Sequence, residues 1–466
     1  MSDNSKAKTI GELRDSGYEV LPVKQEVRRN LIRKIEAGEE MFPDIIGFDE
    51  SVIPQLENAI LAGQDLILLG ERGQAKSRLI RNIVTLLDDE IPAIEGCELN
   101  DNPFDPICKS CQNRVAEHGD DVEIRWLSRD RRYSEKLATP DITVADLIGE
   151  IDPIKVAEGR YLSDELTIHY GLIPRTNRGI FCINELPDLS ERIQVSLFNL
   201  MQERDVQIKG YQIMLPLDVF LVCSANPEDY TNRGRIVTPL KDRYGAQIRT
   251  HYPKSLEEEI DIVEQEHSSF PDTDKVVSVP QYMKEVIAEF TSLARRSPEI
   301  NQRSGVSLRV SIANYETIVG NAFKRSLRLR ERAAPRVSDL PAIVASTTGK
   351  VEMESVEEGR EYKVVDDLIK KAVLNTFGRY FNPREFTDVL ARFEEGLVIE
   401  TGADVQSDSY TSKLPQLANL QEMVERIEPS DDPASIASAI ELILEGLHLN
   451  RRLNRDQSGG TYVYSS

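Results

Sequence analysis

The sequence predicts an α/β fold, in which a parallel sheet with helices on both faces is followed by an all-helical second domain. Short apolar runs alternate with helical patterns in the first half, as in "DLILLG", "VEIRWLS", "GIFCINE" and "VFLVCSAN". Each run ends in a turn or a polar residue, which is typical of parallel strands joined by crossover helices. After about residue 253 the apolar residues recur at helical spacing and the strand pattern nearly vanishes.

These patterns divide the 466 residues into four segments. They predict a helical lead-in at 1–38, an α/β core at 39–253 with a cysteine loop at 97–118, a helical region at 254–450 and a flexible tail at 451–466. No stretch approaches the ~18 apolar residues of a membrane span. The N-terminus also lacks the apolar segment of a signal peptide, so a cytoplasmic location is expected.

The charge of the chain argues against one class of function. The formal net charge is −22, with 79 acidic and 57 basic residues. Phosphate repulsion disfavours non-specific nucleic-acid binding by so acidic a protein. We therefore expect neither a specific nucleic acid nor a membrane as partner.

The stretch "LILLGERGQAKSRLIRNI", residues 66–83, predicts a nucleotide site. An apolar strand leads into a sharp turn at Gly70, and Lys76 and Ser77 open a helix. Amides at such a helix N-terminus bind phosphate oxygens, the lysine reaches the outer phosphates and the serine hydroxyl binds Mg²⁺. We therefore predict ATP and Mg²⁺ as ligands, with contacts from Gly70, Glu71, Arg72, Gly73, Gln74, Ala75, Lys76, Ser77 and Arg78.

Two residues depart from the pattern of a fast ATPase. Ala75 stands where the second glycine of G-x-x-x-x-G-K-[ST] is usual, and we expect it to be tolerated in a right-handed backbone. The run "GIFCINE" ends in Asn184 and Glu185, where two acids are usual. Glu185 is the predicted base that orients the attacking water, and Asn184 can bind a Mg²⁺-bound water without supplying charge.

Three further polar residues follow predicted strands or open a predicted helix. Asn226 ends "VFLVCSAN", on a strand predicted to lie beside the P-loop strand, where its amide can position the lytic water. Arg243 lies in the exposed turn "LKDRYG", and Arg309 begins a helix of the second domain. Arginines in such positions can bind the γ-phosphate.

The cysteine loop offers a possible zinc site. Cys97, Cys108 and Cys111 lie in it, with His118 as a candidate fourth ligand. Unligated thiols or a thiol switch are the alternatives. Cys182 and Cys223 lie in apolar runs and are expected to be small buried residues.

With these motifs in view, the chain resembles the AAA+ ATPases of the MoxR and magnesium-chelatase I-subunit group over roughly residues 40–350. It looks closest to a branch often labelled magnesium-chelatase-like. The motifs that carry the resemblance are "IIGFDESV", "GERGQAKS", "GLIPRTNRGIFCINELPDL", "VFLVCSANP", "LKDRYG" and "SLR". The resemblance implies a P-loop AAA+ core with a helical lid, and two inserts: one in the second helix at 139–172 and a hairpin before sensor 1 at 205–219.

The resemblance also implies residue roles. Asn226 matches sensor 1 and Arg309 matches sensor 2. Arg243 matches the arginine finger that acts on a neighbouring subunit, with two nearby arginines as alternatives. The residues that match the adenine pocket are Ile45, Ile46 and Gly47, and the alternative fingers are Arg233 and Arg235.

These expectations give a leading hypothesis and several alternatives. The first is an ATP-driven, chaperone-like ring, expected to be a hexamer, that remodels a partner bearing a von Willebrand A domain or assists insertion of its metal or cofactor. The second is a nucleotide-dependent assembly scaffold with very slow or no hydrolysis. An authentic magnesium-chelatase subunit and a sigma-54-type activator rank lower.

Overall fold

The computed structural model of the chain forms two compact units, Met1–His251 and Tyr252–Ser466. None of its described helices is both long and apolar enough to cross a membrane. The described residues are 6–157, 165–203, 206–208, 211–213, 215–226, 235–302, 304–354, 359–416, 418–458 and 460–466.

The first unit alternates helices with strands. Its described helices are α1 (Ile10–Asp15), α2 (Val23–Ala37), α3 (Val52–Leu61), α4 (Lys76–Ile83), α5 (Lys109–His118), α6 (Val144–Leu147), α7 (Pro153–Ala157), α8 (Leu172–Arg175), α9 (Glu191–Glu203) and α10 (Thr238–Lys241). Its strands are β1 (Leu66–Leu69), β2 (Glu90–Ile94), β3 (Ile124–Ser128), β4 (Tyr133–Leu137), β5 (Gly149–Ile151), β6 (Ile168–Tyr170), β7 (Gly179–Asn184), β8 (Val206–Ile208), β9 (Tyr211–Ile213), β10 (Val219–Ala225) and β11 (Ala246–Arg249).

A five-stranded parallel sheet with the order β11-β1-β10-β7-β4 forms the centre of this unit. Successive side chains of a strand point to opposite faces. Leu66 and Leu68 accordingly pack with helices α2, α3 and α4, whereas Ile67 and Leu69 pack with residues of α9 and α10. The predicted parallel sheet with helices on both faces is therefore confirmed.

One predicted strand belongs to a different sheet. The run "VEIRWLS" forms β3, which pairs antiparallel with β2 outside the parallel sheet. The edge of the parallel sheet is instead β4, with the sequence Tyr-Ser-Glu-Lys-Leu. This strand has too few apolar residues to be recognised as a buried strand, because it is an edge strand of the described sheet and its side chains are only partly buried or exposed.

The two inserts implied by the resemblance have distinct structures. Between 139 and 172, α6 and α7 accompany the antiparallel pair β5 and β6, and α8 begins at the last residue of this range. The predicted hairpin at 205–219 consists of β8 and β9, with Val206 opposite Ile213 and Ile208 opposite Tyr211. Its turn glycine, Gly210, lies outside the described residues.

The second unit is mostly helical. Its described helices are α11 (Leu256–Glu266), α12 (Pro271–Asp274), α13 (Gln281–Ala294), α14 (Arg309–Leu329), α15 (Val344–Thr348), α16 (Arg360–Tyr380), α17 (Thr387–Glu394), α18 (Ser407–Thr411), α19 (Ala418–Ile427) and α20 (Pro433–Leu449). Side chains from α13, α14, α16 and α20 share one large apolar core.

The second unit also contains strands that the sequence analysis did not predict. A three-stranded antiparallel sheet joins β12 (Ile399–Gly402), β14 (Thr461–Ser465) and β13 (Asn454–Ser458), in that order. The prediction of a flexible tail at 451–466 is therefore wrong, and the unit is not purely helical. The physical reason is burial: Tyr464 is 2% exposed and its hydroxyl donates to Glu445 Oε2 at 2.6 Å.

Candidate functional site

The P-loop joins strand β1, which lies between β11 and β10 in the sheet, to helix α4, and hydrogen bonds within the loop fix its shape. Lys76 is buried, and its Nζ donates to the carbonyl oxygens of Gly70 at 2.5 Å and Glu71 at 2.8 Å. Ser77, next to it on α4, is exposed. The lysine therefore lies across the loop, in reach of an anion that would replace the two carbonyl groups as its partners.

A contact that the sequence analysis missed closes the base of the loop. Gln74 Oε1 accepts hydrogen bonds from the Glu71 amide at 3.0 Å and from the Thr250 hydroxyl at 2.8 Å. A Cβ atom on Gly70 would lie 1.8 Å from Thr250 Oγ1, so only glycine fits there. Thr250 directly follows β11, which pairs with β1, so residues from both strands hold the P-loop in place. A threonine at a strand end has no signal in sequence that reveals this role.

The structure contradicts one part of the reasoning on Ala75. This residue caps α4 with φ 51° and ψ 15°, a left-handed backbone, and not the expected right-handed one. Such a conformation costs a residue with a Cβ roughly 1–2 kcal/mol relative to the right-handed one. Its methyl group packs against the core on that face of the sheet, which partly offsets the strain.

Asn184 and Glu185 end strand β7, at the same edge of the sheet as the P-loop. Asn184 Oδ1 accepts a hydrogen bond from the Ser224 hydroxyl at 3.0 Å, and the Glu185 amide donates to that hydroxyl at 3.3 Å. Glu185 has φ 55° and ψ 48°, a left-handed backbone in a residue with a long side chain. Strain of this kind is frequent at functional sites, where the surrounding structure fixes a residue in position.

A second carboxylate, missed by the sequence analysis, lies beside Asn184. Asn184 Nδ2 donates to Glu135 Oε1, and Glu135 also accepts from Tyr133 at 2.9 Å and from Arg81 Nε at 3.1 Å. Burial disfavours the charged form of Glu135, but hydrogen bonds from Arg81 and Tyr133 outweigh it and hold the pKa of this carboxyl below its usual range. Arg81 lies one turn beyond Ser77 on the same face of α4. Glu135 therefore supplies a negative charge near the position where Asn184 has none.

The remaining predicted residues occupy three places. Asn226 is buried directly after β10, which pairs with β1, so the predicted neighbouring strand is confirmed. Arg243 follows α10 and its Nη1 lies 3.2 Å from Asp242 Oδ2. Arg309 is the first residue of α14 in the second unit, as predicted, and its role stays a prediction. Of the alternative fingers, Arg235 is exposed and Arg233 lies outside the described residues.

The segment implied to line the adenine pocket lies next to the end of β11. Ile45 is buried, whereas Ile46 and Gly47 are partly exposed. The Phe48 ring meets the His251 ring edge-on at 5.0 Å, and the Ser51 hydroxyl lies 2.7 Å from His251 Nε2. Because β11 pairs with β1, this segment is attached close to the P-loop strand.

The cysteine loop brings three thiols together with an aspartate and not with the predicted histidine. Candidate ligand atoms of Cys97, Asp101, Cys108 and Cys111 all lie within 4.8 Å of one another. The His118 side chain is 58% exposed, at the last residue of α5, and lies 3.9 Å from Glu117. His118 as fourth ligand is therefore wrong, because seven residues along a helix carry it two turns away from Cys111.

The other two cysteines are buried in the sheet, as predicted. Cys182 and Cys223 are both 0% exposed. Burial raises the pKa of the Cys223 thiol to about 12, so it stays protonated at neutral pH. Neither cysteine has the environment of a reactive thiolate.

Comparison with known proteins supports the resemblance. The chain is 25% identical over 360 residues to the magnesium-chelatase subunit ChlI of Nephroselmis olivacea, covering 70% of this chain and 94% of that one. It is 26% identical over 350 residues to the ChlI subunit of Nostoc sp., covering 69% and 87% of the two chains. Residues 158–240 match the family described as the Sigma-54 interaction domain. The predicted resemblance to magnesium-chelatase I subunits is thus confirmed.

One solved structure is similar over a comparable length. It is a cryo-EM-based structure of the complex between subunits BchI and BchD of magnesium chelatase, 19% identical, covering 70% of this chain and 98% of that chain. The TM-score is 0.37.

Proposed function

We propose that this chain binds ATP with Mg²⁺ at the carboxyl edge of its parallel sheet and hydrolyses it, as an AAA+ ATPase related to the magnesium-chelatase I subunits. The observation that carries the proposal is the strand order. It places the P-loop after β1, Asn226 after β10 and Asn184–Glu185 after β7 on three adjacent strands. Ligands of open α/β sheets bind at the carboxyl ends of the strands.

The described oxygen donors fit a magnesium ion. Ser77 is exposed at the start of α4, and Glu135 and Asn184 face each other on the strands β4 and β7. Hydroxyl, carboxylate and water oxygens are the ligands that Mg²⁺ prefers. When bound with ATP, the ion neutralises phosphate charge. In this assignment Ser77 and Glu135 supply the protein oxygens, and Asn184 fixes the orientation of Glu135.

The protein groups then divide the work of hydrolysis. Lys76 leaves the carbonyl groups of Gly70 and Glu71 to bind the outer phosphates. Glu185, fixed through its backbone by Ser224, accepts the proton of the attacking water, and Asn226 orients that water. Among the described arginines, Arg243 is our first candidate for the finger that acts on a neighbouring subunit's ATP.

The ring and its partner belong to the same proposal. An arginine finger in trans requires a closed assembly of identical subunits, and we propose a hexamer. The motion produced by hydrolysis would remodel a partner protein with a von Willebrand A domain, or assist insertion of its metal or cofactor. The family resemblance is the support for this step.

A second candidate function is a scaffold that binds ATP and assembles without turnover. Two observations favour it: Ala75 holds the P-loop in a left-handed backbone that a glycine would adopt more readily, and Arg81 already neutralises Glu135. Both features would slow hydrolysis without preventing binding.

The test compares the wild type with the variants Glu185→Gln and Glu191→Gln. Glu191 is an exposed acid at the start of α9 and serves as the matched control. Steady-state ATPase is measured with Mg²⁺, together with the molar mass in solution with and without ATP. Turnover that Glu185→Gln abolishes and Glu191→Gln preserves supports the ATPase. ATP-dependent rings without turnover in any variant favour the scaffold, and absence of ATP binding refutes both.

A further inference from the structure

We propose that Cys97, Asp101, Cys108 and Cys111 bind one zinc ion that fixes the cysteine loop to the first unit. The four residues lie at 5%, 0%, 6% and 1% exposure, and their ligand atoms lie within 4.8 Å of one another. A zinc ion with Zn–S bonds of about 2.3 Å in tetrahedral geometry separates its sulfur ligands by about 3.8 Å. The cluster therefore needs only a small contraction to bind the ion.

Asp101 gives the strongest indication that the cluster binds a cation. Its side chain is 0% exposed, and its Oδ1 has no hydrogen-bond partner among the described residues. Buried carboxylates are normally paired with a charge or coordinated to a metal. Three thiols that merely fill apolar space would leave this carboxylate oxygen without a partner, whereas a bound metal ion would coordinate it.

Backbone amides already point at the ligand atoms. Cys97 Sγ accepts from the amides of Leu99 at 3.3 Å and Asp101 at 3.4 Å. Cys108 Sγ accepts from the Cys111 amide at 3.4 Å, and Asp101 Oδ2 accepts from the Cys108 amide at 3.0 Å. Donors of this kind stabilise thiolate and carboxylate ligands and fix their direction. The loop thus supplies both the four ligands and the backbone amides that orient them.

The ligand types select zinc among the common ions. Thiolates disfavour Mg²⁺ and Ca²⁺, which take oxygen ligands, and iron–sulfur clusters generally use four cysteines. Three cysteines and one carboxylate complete a closed tetrahedral shell, as in structural zinc sites. Zinc binds the thiolate forms, so binding releases thiol protons to solvent and the affinity falls at low pH. A disulfide would pair two of the sulfurs and leave the third thiol and Asp101 without a function.

The loop is attached to the segment that leads into strand β7. Asn100 Nδ2 donates to the Arg175 carbonyl at 2.9 Å, and Asn177 Nδ2 donates to the Leu99 carbonyl at 2.9 Å. Arg125 Nη2 donates to the Cys97 carbonyl at 3.1 Å and adds a positive charge near the anionic site. We infer that the ion has a structural role, supporting the edge of the core from which β7 starts.

The test measures metal content and metal binding of the full chain. Protein purified under reducing conditions without added chelator is analysed for zinc, then stripped and titrated with Zn²⁺ and with Co²⁺, whose absorption spectrum reports tetrahedral thiolate ligation. The variants are Cys111→Ser and Asp101→Asn, with His118→Ala and Cys223→Ala as matched controls. Thermal unfolding of each is recorded with and without zinc.

We expect one zinc per chain in the wild type and both controls, and loss of zinc in Cys111→Ser. Asp101→Asn should bind zinc at least about tenfold more weakly, because the neutral amide is a poorer ligand. If Cys111→Ser does not fold, the titration of the stripped wild type decides the question alone. A wild type with no zinc and no cobalt–thiolate spectrum, or with a Cys108–Cys111 disulfide, overturns the proposal. Loss of zinc in His118→Ala would overturn the assignment of the fourth ligand.

Discussion

Replacing Asn184 by aspartate tests the contact between strands β7 and β4. The substitution restores the acid that fast P-loop ATPases usually carry at this position. In the structure Asn184 Nδ2 donates to Glu135, so Asn184→Asp replaces a hydrogen bond by two facing carboxylates. We therefore expect the variant to be less stable in the absence of Mg²⁺.

The size of the effect follows from the geometry. Two charges about 4 Å apart repel by about 4 kcal/mol at an effective dielectric constant of ~20. Alternatively, one of the two carboxyls can take up a proton. Near pH 7.5 this costs a similar free energy, because each pH unit above the pKa of the carboxyl costs about 1.4 kcal/mol, so the penalty cannot exceed about this value. Glu135 is 23% exposed and is paired with Arg81, so screening reduces the penalty and we expect about 2 kcal/mol. This corresponds to a Tm lower by about 4–8 °C for a unit of this size.

The sign of the pH dependence is fixed by the same pair. The folded variant binds a proton more tightly than the unfolded chain, so its stability falls relative to wild type as the pH rises. The deficit should be small near pH 4, close to the pKa of an unfolded carboxyl, and full near pH 7.5. Mg²⁺ should reduce it, because a divalent ion binds the carboxylate pair of the folded state only.

The assay is thermal unfolding of wild type, Asn184→Asp and Asn184→Asp/Glu135→Gln at both pH values, with and without Mg²⁺. The double variant again has one carboxylate, now on β7 instead of β4, and should recover wild-type stability. A single variant as stable as wild type at pH 7.5 without Mg²⁺ would refute the contact.

Three other changes test separate parts of the structure. Lys76→Met should abolish ATP binding, measured by calorimetry, with little change in Tm, and retained affinity would refute the phosphate role of this lysine. Ala75→Gly should stabilise the first unit by about 1 kcal/mol in thermal unfolding, because glycine adopts φ 51° without the strain that alanine bears there, and an unchanged or lower Tm would refute the strain at this position. Deleting 451–466 should destabilise the second unit by about 3–5 kcal/mol in denaturant unfolding, because Glu445, 2% exposed, loses Arg455 and Tyr464 as partners. An unchanged unfolding midpoint would show that these contacts contribute nothing.

The sequence allowed three strands of the parallel sheet and most of the candidate site to be predicted, because these rest on short-range patterns. The buried strands β1, β7 and β10 are continuous apolar runs, and each is followed directly by the polar residues of the site. Glu135 could not be found in this way, since it lies on an edge strand with mixed polarity. Its role depends on pairing across β4 and β7, which only the register reveals.

Apart from the backbone of Ala75, the residues that the sequence analysis missed or misassigned depend on contacts within the fold that the sequence does not show. Asp101 resembles an ordinary loop aspartate in the sequence, and only the fold encloses it among three thiols. His118 has a reasonable spacing from Cys111 in the sequence but lies two turns further along α5, at the exposed end of the helix. The tail residues 451–466 look like a polar terminus in the sequence. In the structure they form β13 and β14, and β14 pairs with β12, which lies far back in the chain.

The order of strands in the second unit has a consequence for synthesis on the ribosome. Strand β14 lies between β12 and β13, although β12 precedes it by about 60 residues. At roughly 5–20 residues per second, β12 emerges about 3–12 s before the strand that pairs with it. During that interval its backbone amides and carbonyls are open to other chains, as at any unprotected strand edge. Nascent-chain chaperones that cover extended segments would therefore be most useful to this protein while residues 403–460 are being made.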